Sequence, residues 1–120
     1  GFTVSYGSTY VAEKDMKIAT VPAGYGDGYP RYLSNKGEVL IRGTRCKIVG
    51  RVCMDQFMVD VSHLDTVQIA DEVTLVGTDG NETITVEDVS DKDSRFNYEF
   101  CCLITPRVPR IYIKDGKVIE

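Results

Sequence analysis

Apolar and polar positions alternate along much of the chain with the period of two that marks strands buried on one face. The stretch FMVDVS (57–62) is the clearest case, with Phe57, Val59 and Val61 on one face and Met58 and Asp60 on the other. KIATVPAGY (17–25), GEVLIRG (37–43), RCKIVGRVCMD (45–55) and DEVTLVG (71–77) also read as strands, alternating or running apolar between glycines. TDGNET follows, with the turn signature Asp79-Gly80. The period then changes. In ITVEDVSDK (84–92), Val86 and Val89 stand at helical spacing, and Thr85 with Asp88 three residues on forms a weak capping box. NYEFCCLI (97–104) predicts a second short helix, capped by Asn97 and stopped by Pro106, with Phe100, Cys101, Leu103 and Ile104 turned inward. VPRIYIKDGKVIE (108–120) predicts a closing hairpin that turns at Asp115-Gly116. Six or more short strands with two short helices inserted late predict a mainly β, barrel- or sandwich-like fold, one domain over residues 1–120.

Composition narrows the partners. Of 120 residues, 42% are hydrophobic and 27% charged, which suits an ordinary soluble globular domain. A net charge of -4 argues against nucleic acid, which demands a clustered basic footprint. No apolar run approaches the ~20 residues that cross a bilayer, and no signal peptide precedes the first strand, so a cytoplasmic location is expected. The chain opens on Gly1 without an initiating Met and is expected to be a piece of something longer. The four cysteines, Cys46, Cys53, Cys101 and Cys102, form no CxxC pair. They read as free buried thiols in a reducing compartment, not as zinc ligands. The single histidine, His63, has no companion for a metal site and is expected at the surface after a strand.

Four stretches could carry chemistry. VSYGSTY (4–10) sets Tyr6 beside Gly7, which removes bulk next to the phenol and lets another chain or ligand approach. GYGDG (24–28) superficially resembles a phosphate cradle but lacks the Lys-Ser/Thr of a P-loop, and no helix pattern follows it, so it reads as a plain wide turn. GRVCMDQFM (50–58) puts Arg51 and Asp55 in an otherwise apolar strand run, where a charge is costly unless paired or solvated. PRVPRI (106–111) reads as a solvated edge strand blunted by proline.

Taken in order, VSYGSTY, VPAGYGDGYPR, IVGRVCMDQFMVDV and NYEFCCLITPRVPRIY resemble the C-terminal domain of alanine racemases, bacterial pyridoxal-phosphate enzymes that interconvert L- and D-alanine. The resemblance covers essentially the whole chain. It implies an N-terminal (α/β)8 barrel, absent from this chain, that binds most of the cofactor on a Schiff-base lysine. It also implies a head-to-tail homodimer in which each β domain completes the partner's site, with a small amino acid as substrate. On that resemblance Tyr6 is the catalytic base delivered to the partner, opposite the lysine. A phenol with an ordinary pKa near 10 needs cationic neighbours to act so, and these are expected in the barrel. Met54 is similar to the residue whose backbone N–H meets the substrate carboxylate, and Asp55 beside it is given an orienting role. Tyr25, Arg31, Arg51 and Ile104 match residues of the corridor to the active site.

One position departs from the family. Pro106 stands where a tyrosine that reaches the cofactor phosphate is usual, so one contact is lost and a wider entrance is expected. Serine or another small amino acid is therefore the alternative substrate, and a non-catalytic dimerisation module is the alternative of a different class. The lysines all fall in polar or turn contexts, so the isolated chain is expected to be inactive and to hold no cofactor tightly.

Overall fold

A computed structural model describes residues 3–4, 10–11, 16–65, 67–68, 71–91, 103–114 and 117–119. Its centre is a five-stranded antiparallel sheet curled into a half-barrel, so the mainly β expectation is borne out. A first small hairpin joins β1 (Thr3–Val4) to β2 (Tyr10–Val11). The main sheet comprises β3 (Ile18–Val21), β4 (Glu38–Ile41), β5 (Thr44–Val49), β6 (Phe57–Asp60) and β7 (Val73–Thr74), in the order β3-β6-β5-β4-β7.

Two sequence patterns build its core. In β6 the period of two holds, because Phe57, Val59 and Val61 are buried while Met58 and Asp60 are half-buried. In β4, by contrast, Val39, Leu40 and Ile41 are all buried, as befits a strand covered on both faces. The β4–β5 connection is a two-residue turn in which Arg42 (φ 51°) and Gly43 (φ 71°) both take the left-handed conformation that matches the twist of a hairpin. Arg42 is held there by a two-pronged contact to Asp71, with Nε–Oδ2 and Nη2–Oδ1 both at 3.1 Å.

The second half is hairpin and helix. β8 (Gly77–Asp79) pairs with β9 (Glu82–Ile84) around Gly80-Asn81, so the turn lies one residue later than Asp79-Gly80 predicts. Gly80, at φ 64°, explains the shift, since it supplies the left-handed position inside the loop. Helix α1 (Val86–Asp91) starts at the predicted cap: Asp88 N donates to Thr85 Oγ1 (3.0 Å) and Thr85 N donates to Asp88 Oδ2 (2.8 Å). Of the helix expected over 97–104, residues 97–102 lie outside the described residues; Ile104 is half-buried against the core as expected, whereas Leu103 is 45% exposed and does not turn inward. The turn Asp115-Gly116 also lies outside the described residues. β10 (Tyr112–Lys114) and β11 (Lys117–Ile119) pair in the register Lys114↔Lys117 that a two-residue turn requires.

Four strand expectations need correction. The strand over 17–25 is only Ile18–Val21, and residues 22–24 are irregular. The strand over 45–55 ends at Val49, where Gly50 turns at φ 80°, and residues 51–56 form a loop. The strand over 71–77 is only Val73–Thr74, followed by a bend. PRVPRI is a turn and irregular chain, with Val108 N donating to Thr105 O at 3.1 Å around Pro106. Proline fits the second position of such a turn because its φ is preset.

Cys46 and Cys53 are free thiols, the first buried and the second half-buried. His63 is exposed after β6, as expected, and its Nε2 lies 3.0 Å from Arg45 O. Burial first, then the charges of Asp60 and Glu38, push the Cys46 thiol from 9.0 up to about 11. The folded state thus favours the neutral thiol. Its contribution to stability is complete below pH 9 and is lost as pH climbs through about 11, because the unfolded chain ionises first. Unfolding measured from pH 8 to pH 11 should show this decline, and Cys46→Ala should reduce it.

Candidate functional site

The glycine-rich stretch after β3 is more than a wide turn. Tyr25–Asp27 forms one 3-10 turn, and Asp27 Oδ2 accepts from Gly24 N (2.9 Å) to hold it closed. Two loops dock on its backbone. From one side, Tyr25 N donates to Cys53 O and Gly26 N to Met54 O, each at 2.9 Å. From the other, Thr105 N donates to Asp27 O (3.1 Å) and Thr105 Oγ1 to Gly26 O (2.9 Å). Such approach requires glycine. A Cβ on Gly24 would lie 2.1 Å from Cys53 O, and one on Gly28 would lie 2.2 Å from Leu103 O.

The docked loop 53–56 is itself tight. Cys53 N donates to Gln56 O (2.9 Å), which leaves Met54 and Asp55 at its tip. Met54 has its carbonyl fixed by Gly26 and its residue surface 51% exposed. Asp55 is exposed and meets Arg107, whose Nη2 lies 2.6 Å from Asp55 Oδ1. Arg107 Nε also lies 3.4 Å from Asp27 Oδ1. The hydrogen bond to Asp55, and then the charge of Asp27, raise the Arg107 pKa above its ordinary value, so the guanidinium is permanently charged.

The predicted residues fall around this junction. Arg31 sits with Cζ 5.4 Å from the centre of the Tyr25 ring, a cation–π arrangement, and both line a pocket of about 380 Å³ with Leu103 and Thr105. Ile104 is half-buried against the core and lines a second pocket of about 740 Å³ with Asp27 and Arg107. Arg51 is exposed in the loop before the tip, and Cys53 Sγ lies 3.6 Å from its carbonyl. The charges of GRVCMDQFM are therefore on a loop, and Asp55 pairs across the chain with Arg107. Tyr6 lies outside the described residues.

Sequence reasoning missed Asp27 and Arg107 as parts of the site. Asp27 stood in plain view between two glycines, and Arg107 followed the proline of the 105–108 turn. The missing signal was their contact across eighty positions, which no local pattern carries. Tyr29 marks a contrast. It is 3% exposed and stacks on Phe57 with ring centres 4.9 Å apart, and its hydroxyl has no partner among the described residues. Burial pushes that phenol well above its ordinary pKa, so it is a core residue and not a base.

Among the lysines whose side chains are described, none is set to hold pyridoxal phosphate covalently. A Schiff-base lysine needs a desolvated setting to be a nucleophile, whereas Lys17, Lys36 and Lys47 are all exposed. Among the described residues no group of three or more His, Cys, Asp or Glu could hold a metal ion, and no helix is long and apolar enough to cross a membrane.

The fold and this junction define a mainly β domain that displays its polar chemistry on a cluster of surface loops. The sequence matches the family "Alanine racemase, C-terminal domain" over residues 1–112. An alanine racemase of Halothermothrix orenii is 52% identical over 112 residues, which are 93% of this chain and 30% of that protein. The crystal structure of alanine racemase from Bacillus anthracis with bound L-Ala-P superposes with a TM-score of 0.93 at 44% identity, over 100% of this chain and 30% of that one. Alanine racemase from Bartonella henselae with covalently bound pyridoxal phosphate gives 0.86 at 36% identity, over 94% and 31%. The chain belongs to the alanine racemase C-terminal domain family, and it spans about a third of the length of these relatives.

Proposed function

We propose that residues 1–120 are the C-terminal domain of an alanine racemase that interconverts L- and D-alanine and supplies D-alanine for peptidoglycan in the cytoplasm. The carrying observation is that three of the four stretches resembling the family meet at one point: Tyr25–Asp27, Met54–Asp55 and Ile104–Arg107 are joined by direct hydrogen bonds. Pyridoxal phosphate, held by an N-terminal barrel outside this chain, would supply the electron withdrawal that acidifies the α-carbon. This chain's own part is to deliver Tyr6 across the interface of a head-to-tail homodimer. There the phenolate takes or returns the α-proton on one face, opposite the barrel lysine. The Met54 peptide N–H binds the substrate carboxylate, Asp55 helps to orient it, and Tyr25, Arg31, Arg51 and Ile104 line the approach. Alone, the chain neither binds the cofactor tightly nor racemises.

Pro106 supports a second reading. It is exposed at the turn beside Ile104 and offers no hydroxyl, which suits a wider entrance and a racemase that also accepts serine. The test is racemisation of L-alanine and L-serine by the full-length protein. Alanine racemisation is the expected result, and its absence would reduce the domain to a non-catalytic module. Values of kcat/KM within about tenfold for the two amino acids would favour the broader specificity, whereas a strong alanine preference would remove it.

A further inference from the structure

Gly26 raises a question that its backbone does not answer. It is not among the glycines held at positive φ, so its own conformation does not demand glycine. A side chain there would meet Arg107 and the Met54 carbonyl: a Cβ on Gly26 would lie 1.9 Å from Arg107 Nη1, 3.1 Å from its Cζ and 3.0 Å from Met54 O. The guanidinium thus lies against the peptide of Gly26, between a carboxylate on each flank, Asp27 at 3.4 Å and Asp55 at 2.6 Å.

The loop that carries Arg107 is built to hold it there. Val108 N closes the turn onto Thr105 O, and Thr105 pins that turn to Gly26 and Asp27. Arg110 then ties down the loop's carbonyls, with Nη1 donating to Thr105 O (2.7 Å) and Val108 O (2.6 Å) and Nη2 to Ile104 O (3.1 Å). Such an arrangement does little for stability. Asp55 is 67% exposed and Arg107 44%, and ion pairs so exposed are screened by solvent. Its evident effect is geometric, because one planar fork fixes the tip of loop 53–56 relative to the glycine turn.

We propose that Arg107 is a positioning residue: by bridging Asp27 and Asp55 it holds the Met54 peptide in the orientation that receives the substrate carboxylate. The proposal rests on the racemase reading above. It assigns Arg107 to substrate affinity and not to proton transfer, so its signature is a split between KM and kcat.

The experiment uses the full-length enzyme. Arg107→Met is expected to raise KM for alanine about tenfold with kcat within about twofold. Arg107→Lys should recover only part of that loss, since an ammonium cannot fork between two carboxylates. Gly26→Ala, which displaces the guanidinium and also presses on Met54 O, should raise KM at least as much. Arg107→Met combined with Asp55→Asn should be no worse than the more damaging single change, because both break one contact. Arg42→Met removes an arginine–carboxylate pair far along the chain and serves as the control with unchanged KM. Hydrogen exchange in the 53–56 segment should quicken in Arg107→Met and not in Arg42→Met. An unchanged KM in Arg107→Met, beside a wild type that racemises alanine, would overturn the clamp alone. A wild type that racemises nothing would overturn both the clamp and the reading beneath it.

Discussion

Gly28→Ala is expected to destabilise the protein by roughly 2–6 kcal/mol, from backbone strain of about 1–3 and forced overpacking of about 1–3. Gly28 sits at φ 104° where the 3-10 turn ends, with its N–H donating to Tyr25 O at 3.1 Å. A side chain there suffers twice. The left-handed conformation disfavours any Cβ, and that Cβ would lie 2.2 Å from Leu103 O and 2.8 Å from the Ile104 Cα. Both obstacles are backbone, so no rotamer change relieves them. Gly43→Ala separates the two effects, because Gly43 also has a positive φ, 71°, but its nearest neighbour would be Asp79 O at an ordinary 3.6 Å. Strain alone should cost that variant about 1 kcal/mol. Thermal or urea unfolding of the two variants side by side reads the difference, and equal losses would mean that the Leu103 contact does not constrain Gly28.

That contact also shows why half of the site was illegible in the sequence. A glycine needed for close approach looks the same as a glycine needed for a turn when only its neighbours in the chain are known. Gly24 and Gly28 therefore read as loop punctuation, although each is pressed against backbone from a segment many residues away. Asp27 and Arg107 were hidden for the same reason, since a pairing across eighty positions leaves no periodic trace. What could be read was what local physics dictates. The alternation at 57–61 specified one buried face, Thr85 and Asp88 specified a cap, and the apolar run of 39–41 specified a buried strand. Residues 51–56 misled because Val52, Cys53 and Met54 look like a continuing strand. Only Val52 is buried, at 2% exposure, while Met54 projects outward at the tip. What the structure uses of this residue is its backbone, since Met54 O accepts from Gly26 N at 2.9 Å.

The largest effect on activity is expected from Tyr6→Phe in the full-length enzyme, a loss of roughly 10²–10⁴ in racemisation. Phenylalanine keeps the ring and its packing and removes only the hydroxyl, so assembly should survive and the loss should appear in kcat. The two-base scheme makes a sharper demand. A proton must leave one face of the α-carbon and return to the other, and each base serves one face. Deleting Tyr6 should therefore abolish conversion while exchange of one enantiomer's α-proton with deuterated water persists, driven by the base on the opposite face. Tyr29→Phe is the matched control. That phenol is enclosed beside Phe57 and pushed up by burial, so its loss should leave racemisation unchanged. If Tyr6→Phe and Tyr29→Phe behave alike, the phenol beside Gly7 is not the base. Loss of exchange for both enantiomers in an assembled Tyr6→Phe enzyme would mean instead that Tyr6 orders the site and transfers no proton itself.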